Sequence, residues 1–315
     1  MKDERKYCTS IGGQAVIEGV MMRGPEKYAI AVRKPDGDIV IEEKAGKSIT
    51  KKNKLFGLPI IRGCISFFES MIIGTRALMF SADFFDIEGE EENEAEKTET
   101  WLERVLGDRL KDVVIGFSIF LSLVFSIGLF ILAPTYITSF FGIEGNAAKT
   151  AVEGVLKILL FLGYLVAISR LKDIQRVFEY HGAEHKTIHC YEAGEDITVE
   201  NVKKQSRLHP RCGTSFLLIV LVISIILFLF VPNGGNLAWY MRAAYKLLLL
   251  PLIAGVAYEA IKFAGRKTNA LTRIISAPGM AFQYITTREP DDSQIEVAIA
   301  SFNAVKPSDK EEAKW

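Results

Sequence analysis

Ser215-Phe-Leu-Leu-Ile-Val-Leu-Val-Ile-Ser-Ile-Ile-Leu-Phe-Leu-Phe-Val231 is apolar apart from two serines and carries no charge. Such a run has no polar face to present to water, which suits a helix surrounded by lipid or by the core of a large protein. Three more stretches behave similarly: residues 113–141 and 247–258 hold no charged side chain, and 154–169 hold only Lys157. About 20 helical residues cross a bilayer, so the pattern predicts spans at roughly 113–133, 151–170, 214–232 and 243–263. The expected fold class is an α-helical membrane protein with about four transmembrane helices.

Charge placement orients these spans. The expected outer loops, 134–150 and 233–242, carry one basic residue each, Lys149 and Arg242, whereas 170–213 carries eight. Lys262, Arg266, Lys267 and Arg273 flank the last span. The reading is a multi-pass protein of the cell membrane, with both termini and the 170–213 loop cytoplasmic. Lys and Arg together number 38, as do Asp and Glu, so no overall basic field points to nucleic acid. Residues Met1–Tyr7 are charged with no apolar core behind them, unlike a secretory signal.

Residues 1–58 read as a small β-rich cytosolic unit. Tyr28–Arg33 and Asp38–Glu42 are strand candidates, joined by the turn signal Pro35-Asp36-Gly37. The glycine-rich stretch from Gly12 to Pro25 reads as a strand with bulges, or as backbone approaching a site that Gln14, Glu18 or Arg23 would reach. Residues 59–82 are apolar, yet Arg62, Glu69 and Arg76 recur every seven residues and line one stripe. That suits an interfacial or re-entrant helix; if it spanned, the lysine-rich N-terminus would lie outside. Residues 83–112 form an acidic linker and lead-in, with eight acidic residues against Lys97 between 86 and 99. The four-helix region covers 113–270. In 271–315, Ala277-Pro278-Gly279 should break the chain after the last span. Ile295, Ala298 and Phe302 then predict an amphipathic helix over 291–304, and the residues from Lys306 look frayed.

Chemistry concentrates in the loop 171–213. All four histidines fall between His181 and His209, beside Glu184, Glu192 and Cys212. Residues 173–193 predict one helix stopped by Gly194. His181 and His185, like His185 and His189, are four apart, about 6 Å along the axis and on one face. His181 and His189 are about 12 Å apart, too far to share an ion about 2 Å from each ligand nitrogen. Either the helix breaks near Gly182, or two metals bind, or one histidine does something else. His181-x-x-Glu184-His185 fits the inverted zinc-peptidase pattern, in which the glutamate handles a proton. His209 and Cys212, three apart, resemble a zinc half-site. The plainer reading of the cluster is a solvated polar helix face. Cys212 reads as a ligand, an inert buried residue or a nucleophile; Cys190 reads as packing, and Cys8 and Cys64 carry no motif.

The segments Gly12–Arg23, Gly182–His189, Leu208–Ser215 and Thr286–Pro290 resemble the signatures of the YqhQ-type family of bacterial membrane proteins. That family's label, predicted metal-dependent enzyme, implies a metal but no substrate. The resulting expectation is a divalent ion, zinc above iron or manganese, held by His181, His185, His189, His209, Cys212 and Glu192, with Glu184 as base. Hydrolysis at the cytoplasmic face, on a peptide or lipid-linked substrate, is the first reading. A scaffold or assembly factor for other membrane proteins, braced by a structural metal, is the second. A transporter or metal sensor is the third, disfavoured because the spans carry few ionisable groups, with Lys157, Lys246 and Glu259 as the candidates.

Overall fold

The computed structural model describes residues 8–46, 48–51, 54–85, 110–143, 145–231, 238–266 and 270–307. The expected acidic linker at 86–99, residues Met1–Tyr7 and the tail beyond 307 lie outside the described residues.

Four strands, β1 (Gly12–Val16), β2 (Gly19–Arg23), β3 (Lys27–Arg33) and β4 (Ile39–Ala45), form an antiparallel meander in sequence order. The β3–β4 hairpin matches the turn signal, with Gly37 at φ 95°. The stretch expected to be one bulged strand is instead the β1–β2 hairpin, pairing Val16 with Gly19 and Gly13 with Met22. Its turn is Ile17-Glu18, with Glu18 at φ 46°. Neither residue announces a turn, since positive φ ordinarily falls to Gly, Asn or Asp.

The sheet is buried on both faces, and the period of two decides which side chain goes where. Val20, Met22, Ala29 and Ala31 face one core, and Met21, Tyr28, Ile30 and Val32 the other. The second core is closed by Ile73, Ala77 and Phe80 of α1 (Ile61–Ala82). The first is closed by the helix Lys172–Ala193 and by the C-terminal helix.

The helices that follow are α2 (Leu110–Ile127), α3 (Ala133–Phe140), α4 (Asn146–Ile168), α5 (Lys172–Ala193), α6 (Val199–Lys204), α7 (Gly213–Phe228), α8 (Trp239–Arg266), α9 (Ala270–Thr286) and α10 (Asp292–Val305). A π-helical turn, Gly128–Leu132, joins α2 to α3. Asp291 and Gln294 form a capping box at the start of α10, whose Ile295, Ala298 and Phe302 are fully buried. Pro278 and Gly279 do not break the chain but lie inside α9. A proline costs a helix one hydrogen bond and a local kink, and here the helix continues through it.

Among the described residues, four helices are long and apolar enough to cross a membrane: Ile61–Ala82, Gly116–Phe140, Ala147–Ile168 and Trp239–Phe263. This set differs from the expected one at two places. It includes the 59–82 segment, and the helix at Phe216–Phe228 is shorter than the others.

The chain divides into two compact units. One comprises Met1–Asp86, Tyr164–Ser224 and Leu250–Trp315; the other comprises Ile87–Gly163 and Ile225–Leu249.

Candidate metal centre

The site is built on α5. This helix has a polar composition, yet Gly182 to Ile188 and Cys190 to Glu192 are all buried. It ends at Gly194, whose φ of 71° releases the chain while Glu195 N–H returns to the Cys190 carbonyl. The solvated-face reading of the cluster is therefore wrong: His185 is 1% exposed, Glu184 4% and Glu192 0%. Nor does the helix break at Gly182. That glycine instead admits the chain after α9, because a Cβ there would overlap the Arg288 carbonyl oxygen. Arg288 N–H also donates to the Phe178 carbonyl at 2.8 Å.

The unbroken helix sorts its donors into two groups. His181, His185 and Cys212 form one, and His189, Glu192 and His209 the other; within each, the ligand atoms lie within 4.8 Å of one another. Donors on a tetrahedral zinc sit roughly 3.3–3.8 Å apart by its bond lengths, so a contraction of about 1 Å would complete either group. The imidazoles form a continuous row. Ring centroids are 4.4 Å apart from His181 to His185, 5.6 Å from His185 to His209, and 4.7 Å from His209 to His189.

Three of these rings have their tautomer fixed by the backbone. A carbonyl only accepts, so the ring nitrogen facing it must carry the hydrogen. His181 Nδ1–H donates to Thr286 O at 2.8 Å, His185 Nδ1–H to Arg207 O at 2.6 Å, and His189 Nε2–H to Leu208 O at 2.9 Å. The other nitrogen of each ring is thereby left as the basic one, which is how metal-ligating histidines are ordinarily oriented.

In the first group, His181 Nε2 lies 3.1 Å from Cys212 Sγ. Thr214 Oγ1 is 3.2 Å from the same sulfur, and Thr214 N–H points at it from 3.4 Å. Burial opposes the thiolate, but His185 and His181 outweigh it and hold the Cys212 thiol well below its usual range. Burial likewise opposes the His181 imidazolium, and Cys212 and Glu184 overcome it, raising His181 to about 9. Glu184 Oε2 is 3.8 Å from His181 Nε2 and 4.0 Å from His185 Nε2. Its Oε1 accepts from Gly13 N–H at 2.9 Å. Burial pushes the Glu184 carboxyl up, with the two histidines pulling the other way.

In the second group, Glu192 Oε1 accepts from Thr9 N–H at 2.8 Å and from Arg211 Nη2. Arg211 Nη1 reaches Thr9 O at 2.9 Å. Burial alone would raise the Glu192 carboxyl, but His209 and Arg211 bring it down to about 2. Its Oε2 lies 3.5 Å from His209 Nε2, and neither atom has a hydrogen-bond partner among the described residues. Burial holds the His209 imidazole neutral, well below its usual range. Its backbone is clamped by Gln283, which accepts from His209 N–H and donates to His209 O, both at 2.7 Å. Arg211 N–H points at His209 Nδ1 from 3.4 Å, so the neutral ring carries its hydrogen on Nε2, facing Glu192 Oε2, and a cation held by these two atoms would replace that hydrogen.

The three N-terminal side chains singled out as supporters do not reach the site. Gln14 lies against Gly74 of α1. Glu18 binds Arg176 and Tyr180, and Arg23 pairs with Glu69 at 3.3 Å. What approaches the site is backbone, the N–H of Gly13 and both polar groups of Thr9. Cys190 is buried in the core, where burial pushes its thiol up to about 11. Sequence reasoning missed Thr286, Gln283 and Arg207, which act through backbone carbonyls or a lone amide. Arg211, legible as a charge that could support the Cys212 thiolate, bonds Glu192.

Three separate segments thus converge on α5: Thr9–Gly13, Arg207–Cys212 and Gln283–Arg288. The family model described as "Protein of unknown function (DUF1385)" matches residues 58–308. "Uncharacterized protein YqhQ" of Bacillus subtilis (strain 168) is 36% identical over 305 residues, covering 95% of this chain and 93% of that protein. No solved structure matches the chain. Signatures, family model and relative agree, and the chain belongs to the DUF1385 family, the YqhQ type.

Proposed function

We propose that this protein is an integral membrane metalloprotein that hydrolyses its substrate at the cytoplasmic face. One observation carries the reading. His181, His185 and Cys212 converge with both imidazoles turned by backbone carbonyls, and the Glu184 carboxylate stands about 4 Å from the basic nitrogens. Three protein ligands leave a divalent ion, zinc by the softness of its thiolate donor, with an open position. Bound there, the ion supplies Lewis acidity. Glu184 has a raised affinity for protons and one oxygen held by Gly13 N–H, which suits it to take a proton at Oε2 and pass it on. The second group suits a second ion of structural role, because Arg211 already neutralises its only carboxylate.

The membrane part rests on three uncharged runs, on a fourth whose only charge is Lys157, and on the basic bias of the 170–213 segment. The proposed spans are Gly116–Phe140, Ala147–Ile168, the α7 run and Trp239–Phe263, with both termini cytoplasmic. For α1 an interfacial position is favoured. Ile73, Ala77 and Phe80 pack on the sheet, while Phe68, Met71, Ile72 and Leu78 are exposed. Its Arg62 is matched by Glu259 at 2.5 Å, which accounts for the ionisable residue at the margin of the last span.

The test is Glu184→Gln. The hydrolytic reading expects unchanged metal content and lost turnover of ester, peptide and lipid-linked substrates. A variant that behaves as wild type, with His185→Ala collapsing the fold, supports the brace instead. The 3.1 Å Cys212–His181 contact also favours a nucleophilic thiolate. Rapid alkylation of Cys212 in the metal-loaded protein would support that second reading, and protection by the metal would refute it.

A further inference from the structure

One buried cation beside the metal centre belongs to neither donor group. Lys186 follows His185 on α5 and is 4% exposed. A lysine is almost never buried so fully without partners. An ammonium has three hydrogens to give, and Lys186 Nζ meets three acceptors: Lys203 O at 3.0 Å, Gln205 O at 2.9 Å and Glu289 Oε2 at 2.8 Å. The two carbonyls lie at the C-terminal end of α6, where a helix runs out of N–H partners for them. The carboxylate lies on the segment after α9. Lys186 therefore joins α5 to two separate stretches of chain, and Arg207 ties those two to each other. Arg207 Nε lies 3.5 Å from Glu289 Oε1, and its Nη1 donates to Thr287 O.

These same stretches supply the carbonyls that orient the first donor group. Arg207 O, which accepts from His185, comes two residues after Gln205; Thr286 O, which accepts from His181, comes three residues before Glu289. Residues 205–212, which go on to carry His209 and Cys212, lie in no helix or strand. Their placement thus depends on bonds from outside, and Lys186 makes two of them. A helix cap would need only the two carbonyls. The third bond reaches a carboxylate on the other stretch, and capping does not account for it.

We propose that Lys186 is a positioning residue of the metal centre: it fixes the Arg207 and Thr286 carbonyls relative to each other, and so holds His185 and His181 ready for one ion. The inference rests on the metal reading. Partners that orient metal ligands are worth 10–100-fold in metal affinity, and Lys186, acting one step farther out, belongs at the low end. The test loads the full chain, in detergent micelles, with cobalt(II) in place of zinc. Cys212 supplies the sulfur of the first group and the second group has none, so the sulfur-to-cobalt charge-transfer band reports on the first group by itself. Lys186→Met keeps the length of the side chain without its donors. It should weaken zinc binding by the first group roughly tenfold in chelator competition, and it should shift or dim the band. Lys203→Met, which removes only the exposed pair with Asp292, should change neither. Glu289→Ala removes the exposed partner and should give a smaller loss of the same kind; it decides the matter if Lys186→Met does not fold. Wild-type zinc affinity with an unchanged band, whatever the thermal midpoint does, reduces Lys186 to a helix cap and overturns the proposal. A wild-type chain that shows no such band refutes the metal reading itself.

Discussion

Two groups of three donors sit two turns apart on one helix and differ in what holds their carboxylates. Glu184, beside His181, His185 and Cys212, has one backbone N–H on one oxygen and rings at about 4 Å from the other. Glu192, beside His189 and His209, is pinned by an arginine and a backbone N–H. Burial raises the proton affinity of the first, while its partners lower that of the second to about 2. Identical chemistry in the same helix is thus set to opposite tasks: Glu184 is biased toward holding a proton, and Glu192 stays ionised as an anchor between α5, the N-terminal segment and the Arg211 turn.

The sharpest way to break this contrast is to remove the anchor. Arg211→Ala leaves a buried, uncompensated carboxylate, which typically costs about 3–5 kcal/mol. The thermal midpoint should fall far, whereas Glu184→Gln should not lower it. Similar midpoints for the two variants would erase the distinction. Next in size is Gly182→Ala. Its methyl group must displace the Arg288 carbonyl and with it the Thr286 segment that orients His181. Overpacking of this sort costs about 1–3 kcal/mol, and the first group should lose metal affinity before the second.

The two carboxylates should also answer pH with opposite signs in the metal-free protein. The folded-state affinity of Glu192 for protons is depressed, so its stabilisation is present above its unfolded value of 4.5 and lost as pH falls from there toward 2. That of Glu184 is raised, so the folded state binds the extra proton and stability falls as pH rises above 4.5. Denaturation midpoints of Glu192→Gln and Glu184→Gln, followed across that range, should lose the acid-side and alkaline-side slopes respectively. A variant that keeps the slope assigned to it would show the sign to be wrong.

Much of the architecture was legible because it rests on periodicity and on residues with a forced conformation. Helix α5 runs to Gly194 as its positive φ requires, α10 follows from Ile295, Ala298 and Phe302, and the β3–β4 hairpin follows from Pro35-Asp36-Gly37. The β1–β2 hairpin was hidden because Ile17-Glu18 turns without glycine or proline. The continuity of α9 was hidden because proline is a statistical rather than an absolute stop. At the site, the donors themselves were legible from their density. Their division into two groups was not, since it depends on the loop after α6 bringing His209 and Cys212 to different turns of α5. Nor were the supports: carbonyls of Arg207, Leu208 and Thr286 and the N–H of Gly13 exist at every position of a chain and carry no mark in the sequence. The heptad stripe of α1 was visible, but its partners Glu259 and Arg23 lie far away along the chain.

The most direct measurement is the zinc content of the full chain, reconstituted and freed of excess metal, for wild type, His185→Ala and His189→Ala side by side. The account predicts two equivalents in wild type and one in each variant, with the ion that remains in His185→Ala the more easily stripped by chelator. Wild type that retains no ion, or a His185→Ala protein that binds as much as wild type, would contradict it.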